Sequence, residues 1–150
     1  MRKILVSIQQ GQFEQPQLQQ LEALLIKHYQ HHVSSEKVFV IWCEIPQGQA
    51  YTEYQPSKSS LITMECPIGF DQQRRIYFLQ SLAQQWRAIT RQHPDHVLLS
   101  LLESDVFAQF VRSNQQRLSS YGKGVFVWHL LRHFIRSKWR NEVFRFSPNL

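Results

Sequence analysis

The stretch that decides the fold runs from residue 61 to residue 103 and reads LITMECPIGFDQQRRIYFLQSLAQQWRAITRQHPDHVLLSLLE. An apolar segment at 61–65 precedes Gly69, a residue type that adopts the positive φ of a tight turn at little cost. Asp71 supplies a helix N-cap, and the segment 97–103 is short and apolar like a buried strand. Between them, apolar residues recur at the spacing of one helix face: Ile76, Leu79, Leu82, Ala83, Trp86 and Ile89. The stretch therefore predicts a strand, a turn, a helix and a second strand.

The first third of the chain repeats this layout in different residues. Strands are predicted at 3–8 and 38–44, with a helix at 15–32 between them. The two turn glycines, Gly11 and Gly69, lie 58 residues apart, and leucines of the two helices keep the same spacing. Right-handed crossovers place both helices on one side of a shared sheet. The sequence thus predicts an α+β fold, a tandem β-α-β duplication with a four-stranded mixed sheet and two helices on one face.

The duplicated body is predicted to span residues 1–104. Its first repeat covers about 2–45, a Pro- and Gly-containing connector follows at 46–60, and the second repeat covers 61–104. A basic, helical C-terminal extension is predicted at 105–150. Two β-α-β units leave one face of their sheet uncovered, so this extension or another subunit is expected to cover it.

The positive charge belongs to the end of the chain. Residues 1–111 carry nine Lys/Arg and ten Asp/Glu, whereas residues 112–150 carry eight Lys/Arg and one acidic residue, Glu142. A short helix is predicted at 106–112 and a longer amphipathic one at 125–141. The basic side of the longer helix could face solvent, an acidic protein partner, nucleic acid or a membrane surface. Packing with solvated charges is preferred, and neither nucleic acid nor a membrane surface is expected.

Composition favours a globular protein of the reducing cytoplasm. The chain is 43% hydrophobic and has no apolar run of about 20 residues, so no transmembrane segment is expected. Cys43 and Cys66 are the only cysteines, and both fall in predicted strands. Reduced, buried thiols explain them better than a disulfide or a metal site.

The duplicated layout resembles the tautomerase superfamily, in particular its longer members that fuse two short units. The motif IGFDQQRRIYFLQSLAQQW carries the resemblance, which covers about residues 2–104. The resemblance implies a homotrimer whose three sheets enclose the uncovered faces. It also implies a site near the N-terminus, where the family uses an N-terminal proline amine as acid or base.

The proline is missing here, because Arg2 occupies the equivalent position. Met1 is expected to be retained, so its α-amine is the remaining candidate for the catalytic base. The resemblance places Arg2 and Lys3 at the mouth of the pocket, and it makes Arg74 and Arg75 candidates for holding a substrate carboxylate. The alternative for the helix arginines is a solvated first turn or pairing with Asp71 or Glu65.

Histidine pairs at i and i+4 invite a metal site, but the remaining ligands are absent from the pattern. His28 and His32 form one pair, and His129 and His133 form another. Neither pair has the glutamate of an HExxH motif, so packing roles are predicted, with no metal and no cofactor. The leading functional prediction is a divergent tautomerase-like protein that binds a small carboxylate, with weak, altered or absent tautomerase or isomerase activity. The alternative is a non-enzymatic interaction protein that uses the basic C-terminal helix.

Overall fold

The computed structural model describes residues 1–117 and 145–146 of the 150-residue chain. In these residues the strands are β1 (Arg2–Gln9), β2 (Val38–Ile45), β3 (Tyr51–Thr52), β4 (Gln55–Pro56), β5 (Ser60–Cys66), β6 (Val97–Glu103) and β7 (Arg145–Phe146). The helices are α1 (Gln15–His32), α2 (Gln72–Thr90) and α3 (Ser104–Arg117). The predicted strands and the two main helices are all present, with ends that differ from prediction by one or two residues.

One mixed sheet organises the protein, with the strand order β6-β5-β1-β2-β7. Each repeat contributes a parallel pair, β1 with β2 and β5 with β6, and the two repeats meet where β1 and β5 pair antiparallel. Helices α1 and α2 pack against each other and against this sheet. The predicted α+β fold with a duplicated β-α-β body is confirmed. The two-residue strand β7 adds to the edge of β2.

The turns follow the residues that the sequence supplies. Gly11 and Gly69 adopt φ values of 75° and 72°, as predicted for the turn in each repeat. The Asp71 carboxylate accepts a hydrogen bond from the backbone N–H of Arg74 at 2.9 Å, which caps α2. The connector folds into the small hairpin β3–β4.

The core lies between the sheet and helices α1 and α2. Alternate residues of each strand point toward the helices, so Ile4, Val6 and Ile8 of β1 are buried. Trp42 of β2 stacks against Trp86 of α2, with ring centroids 6.3 Å apart. On the same side, α1 contributes Leu18, Leu21, Leu25 and Tyr29 to the core.

The predicted apolar stripe of α2 was wrong in part. Phe78 is fully buried, whereas Ile76, which was assigned to the stripe, is 40% exposed. The cause is the neighbouring helix: Phe78 stacks on His28 with centroids 5.1 Å apart and meets the edge of Tyr29 at 6.3 Å. Packing between helices therefore rotates the buried face of α2 toward Phe78.

The extension begins as a helix directly after β6. Helix α3 is longer than the predicted 106–112 segment, and it packs against β5 and β6. Phe107 anchors it, being nearly inaccessible to solvent. The predicted helix at 125–141 lies outside the described residues, so the basic interaction surface stays a prediction, as does the domain boundary at 104. In the described ranges, no helix has the length and apolarity needed to cross a membrane.

Candidate functional site

The sheet topology gathers charged side chains at one end. Because β5 and β6 run opposite to β1 and β2, the starts of β1 and β2 lie beside the ends of β5 and β6. Helix α2 also begins at this end. We call this region the Met1 edge. Its members are Met1, Arg2, Glu36, Glu65, Arg75, Glu103 and Ser104.

Arg2 is the centre of the Met1 edge. Its Nε donates to Oε1 of Glu36 at 2.9 Å, and its Nη2 lies 2.8 Å from the same oxygen. Its Nη1 donates to Oε1 of Glu65 at 3.3 Å and to the hydroxyl of Ser104. One guanidinium group therefore joins the loop before β2, the end of β5 and the start of α3.

The N-terminal amine shares the same carboxylate. The Met1 ammonium group donates to Oε2 of Glu36 at 3.0 Å, and Met1 is largely exposed. The hydrogen bonds from the N-terminus and from Arg2 hold the pKa of the Glu36 carboxyl below its usual value. Glu36 thus stays ionised and pairs with the Met1 amine and the Arg2 guanidinium at once.

The two helix arginines occupy different surroundings. Arg75 donates to Oε1 of Glu103 at 3.2 Å and to the carbonyl oxygen of Leu101 at 3.1 Å, within the Met1 edge. Arg74 instead donates to the carbonyl oxygen of His32 at 3.0 Å and lies over the Phe70 ring. Arg74 lines a separate cleft of about 270 Å³ with His31, His32, Gln73 and Tyr77.

Lys3 does not join the charged network in the described structure. It is exposed on β1, directly across from Phe39 of β2. The structure therefore brings together Met1, Arg2 and Arg75 at one edge of the sheet, and it places Lys3 and Arg74 apart from their hydrogen-bond network.

A buried thiol and a buried carboxylate lie within this network. Cys66 is inaccessible to solvent, and burial raises the pKa of its thiol, an effect that nearby Arg75 and Arg2 oppose. Beside it, Oε2 of Glu65 is buried without a hydrogen-bond partner in the described structure. The Glu65 backbone is fixed by Tyr29, whose hydroxyl donates to its carbonyl oxygen at 2.6 Å. Glu65 is thus a positioned acceptor at the edge of the core.

His28 has a packing role rather than a free ring. Its Nε2 lies 3.4 Å from the carbonyl oxygen of Phe78, and its Nδ1 lies 3.2 Å from the amide nitrogen of Gln85. Both contacts are satisfied by a neutral ring protonated on Nε2. Burial lowers the pKa of His28, in keeping with that neutral form.

Sequence reasoning identified the cations of this edge and missed most of its anions. Glu36, Glu103 and Ser104 were not proposed as site residues, and Glu65 was only considered as a partner for the helix arginines. Glu36, Glu65 and Ser104 contact Arg2 across 34 to 102 residues of sequence, so no local spacing reveals them. Glu103 contacts Arg75 across 28 residues. The available signal was topological, because Glu65 and Glu103 close neighbouring parallel strands.

Solved structures with this fold share little sequence with the chain. Protein N1, a member of the cis-3-chloroacrylic acid dehalogenase family, has a TM-score of 0.61 and 17% identity over 67% of this chain and 73% of its own. A protein inactivated by 2-oxo-3-pentynoate has a TM-score of 0.61 and 16% identity, with 67% and 84% covered. A fused 4-OT in a symmetric trimer has a TM-score of 0.58 and 15% identity, with 67% and 84% covered.

These matches establish the fold. The sequence matches no protein-family model and no curated protein. The resemblance to the tautomerase superfamily is confirmed as a likeness of structure, and activity and ligand must be argued from the residues of this chain.

Proposed function

We propose that this chain binds a small carboxylate-containing molecule at the Met1 edge and has no proline-dependent tautomerase activity. The observation that supports binding is the position of the Glu36 carboxylate, held by a guanidinium and an ammonium group together. That pair of donors is what a ligand carboxylate requires. The Glu36 side chain is 42% exposed, so a ligand can replace it from solvent.

Arg2 is the proposed primary contact for the ligand. Two of its guanidinium nitrogens already contact one carboxylate oxygen, Oε1 of Glu36, and the paired N–H groups of arginine suit a carboxylate. The buried Glu65 and the half-buried Ser104 accept from Nη1 of Arg2, so Arg2 is positioned before a ligand arrives. Lys3, Arg74 and Arg75 stay predicted contacts.

The Met1 amine is proposed as a second anion contact rather than as a base. A catalytic base must be directed at its substrate, whereas the Met1 amine is hydrogen-bonded to Glu36 and Met1 is largely exposed. Arg2 cannot replace it as a base, because a guanidinium group keeps its proton in proteins. The chain therefore keeps two cationic groups that can bind an anion, and we assign neither of them the role of proton acceptor.

Binding is tested by calorimetric titration with phenylpyruvate, a small 2-oxo acid. We expect the wild type to bind it and Arg2→Gln to bind about tenfold more weakly or worse, because a charge-assisted pair is lost. Lys27→Gln, which removes an exposed cation elsewhere on α1, should leave binding unchanged. Equal affinity of wild type and Arg2→Gln would refute the proposed site.

Catalysis is tested separately by following enol–keto conversion of phenylpyruvate. We expect the wild type to leave the rate at that of buffer, since the Met1 amine is engaged by Glu36 and the Arg2 guanidinium keeps its proton. A conversion rate well above buffer that scales with protein concentration would contradict the absence of tautomerase activity.

We also propose that the chain forms a homotrimer in the cytoplasm. The fused 4-OT of similar fold is described as a symmetric trimer. Leu61 and Leu98, paired across β5 and β6, are 42% and 52% exposed. Adjacent exposed leucines on a sheet favour contact with another subunit. Free thiols at Cys43 and Cys66 support a reducing location.

A further inference from the structure

An open cleft lies at the end of the sheet opposite the Met1 edge. Its volume is about 810 Å³, within the range of small-molecule sites. It is bounded by the turn after β1, the loop after β2, the segment before β5 and the segment after α2. We call it the Arg91 cleft. The side chains that matter most for its chemistry are Gln10, Gln47, Lys58, Arg91, His93 and His96.

The charge of the Arg91 cleft has one sign. Lys58 and Arg91 line it together with two imidazoles, and no aspartate or glutamate of the described chain lines it. Asp95 is nearby but pairs with Nδ1 of His93 at 3.3 Å. Such a cleft attracts an anion, because nothing in its lining neutralises the two permanent cations.

Unlike Arg2 and Arg75, Lys58 and Arg91 have unpaired side chains within residues 1–117. Within residues 1–117, the side chains of Lys58 and Arg91 make no hydrogen bond or ion pair, whereas Arg2 and Arg75 are held by glutamates. A ligand would therefore not have to displace an internal carboxylate. The Arg91 cleft therefore differs from the Met1 edge in position and in the availability of its cations.

The backbone of Arg91 is in an unusual conformation. It follows the last residue of α2 with φ at 57°, in the left-handed region where helices usually place glycine. Its N–H donates to the carbonyl oxygen of Arg87 at 2.8 Å and closes the helix. A glycine would do this with less strain, so the turn itself does not explain why arginine stands at this position.

The wall beside Arg91 is built before any ligand binds. The amides of Gln12 and Gln92 both donate to the carbonyl oxygen of Lys58 at 2.7 Å. The Gln92 amide oxygen accepts from Nε1 of the buried Trp86 at 2.8 Å. The core thus fixes the backbone of Lys58, and the cleft does not depend on a loop that must order on binding.

We propose that the Arg91 cleft binds the phosphate ester of a small polyhydroxylated molecule. A phosphate dianion suits a lysine and an arginine that line one cleft without a carboxylate beside them. The volume leaves room for more than a phosphate group, and the carboxamides of Gln10 and Gln47 offer donors and acceptors to hydroxyls. This site goes beyond the carboxylate site at the Met1 edge and does not depend on it.

The probe for this site is glucose 6-phosphate, titrated by calorimetry against the full chain. We expect a dissociation constant below about 1 mM. Arg91→Gln and Lys58→Gln should each weaken binding about tenfold or more, whereas Arg112→Gln and Lys27→Gln, which remove exposed cations elsewhere, should not change it. Arg2→Gln should also bind normally; loss of binding in that variant would place the ligand at the Met1 edge and overturn the proposal.

Arg91→Gly separates the ligand role from folding. Glycine suits a φ of 57°, so this variant should melt at a higher temperature than the wild type while losing glucose 6-phosphate binding. Normal binding by Arg91→Gly would overturn the proposal. Inorganic phosphate and glucose should each bind at least about tenfold more weakly than the ester. Equal binding of inorganic phosphate, or of gluconate in place of the ester, would also overturn it.

Discussion

At the scale of single residues, one exposed carboxylate, that of Glu36, controls whether the cations of the Met1 edge are available to a ligand. Glu36 pairs with the Met1 amine and with Nε and Nη2 of Arg2. Glu65 and Ser104 accept hydrogen bonds from Nη1 of Arg2. The sequence correctly indicated Arg2 as a residue of interest, because it replaces a proline in the resembled family. It could not indicate Glu36, since the pairing arises only when β1 and β2 lie side by side.

The Glu36 ion pairs should make stability depend on pH. The pKa of this carboxyl is lower in the folded protein than its ordinary 4.5, so its contribution is complete above 4.5 and is lost as pH falls through the folded value. We therefore expect wild type to melt above Glu36→Gln at pH 7 and the difference to be smaller at pH 3. The measurement is thermal unfolding by circular dichroism at both pH values.

Glu14→Gln is the control for this series, because Glu14 is exposed and its side chain does not cap α1. Its melting temperature should match the wild type at both pH values. A Glu36→Gln difference that is the same at pH 7 and pH 3 would show that the charge of Glu36 is not what stabilises the edge.

At the scale of elements, the sequence predicted where helices and strands occur better than which faces they bury. Period-two and helical patterns located the four main strands and α1 and α2 to within one or two residues. The buried face of α2 was misassigned because Ile76 and Phe78 are both apolar and nearly 160° apart on a helix. The choice between them depends on His28 and Tyr29 of α1, which local sequence cannot supply.

A matched pair of alanine variants on α2 tests the corrected face. Phe78→Ala should reduce the free energy of unfolding by about 3–5 kcal/mol, because it empties a fully buried site. Ile76→Ala, at a 40% exposed position, should lower it by about 1 kcal/mol or less. Chemical denaturation monitors both variants. Similar losses for the two would mean that the helix buries the originally predicted face.

At the scale of the whole molecule, the duplicated fold has a cationic region at each end of the sheet, and the two regions differ in how their cations are paired. One end carries the Met1 edge, where cations are already paired, and the other carries the Arg91 cleft, where Lys58 and Arg91 are unpaired within residues 1–117. The repeat was evident in the sequence from the spacing of Gly11 and Gly69. The Arg91 cleft was not, because its lining comes from four separate segments of the chain.

The exposed leucines of β5 and β6 test the proposed trimer. At micromolar concentration the wild type should sediment with about three times the 17.9 kDa mass of one chain. Leu98→Glu should shift the mass toward a single chain, because a charge would be buried between subunits. Ile76→Glu, at a similarly exposed position on α2, should leave the assembly intact. A wild type that sediments near 17.9 kDa would exclude the trimer.

The most direct test of the central claim is whether Glu36 competes with a ligand carboxylate for Arg2 and Met1. Phenylpyruvate is titrated calorimetrically against wild type, Glu36→Gln and Glu14→Gln. If Glu36 occupies the binding groups, Glu36→Gln should bind at least about threefold more tightly than wild type, and Glu14→Gln should match the wild type. Unchanged or weaker binding by Glu36→Gln would contradict a carboxylate site at the Met1 edge.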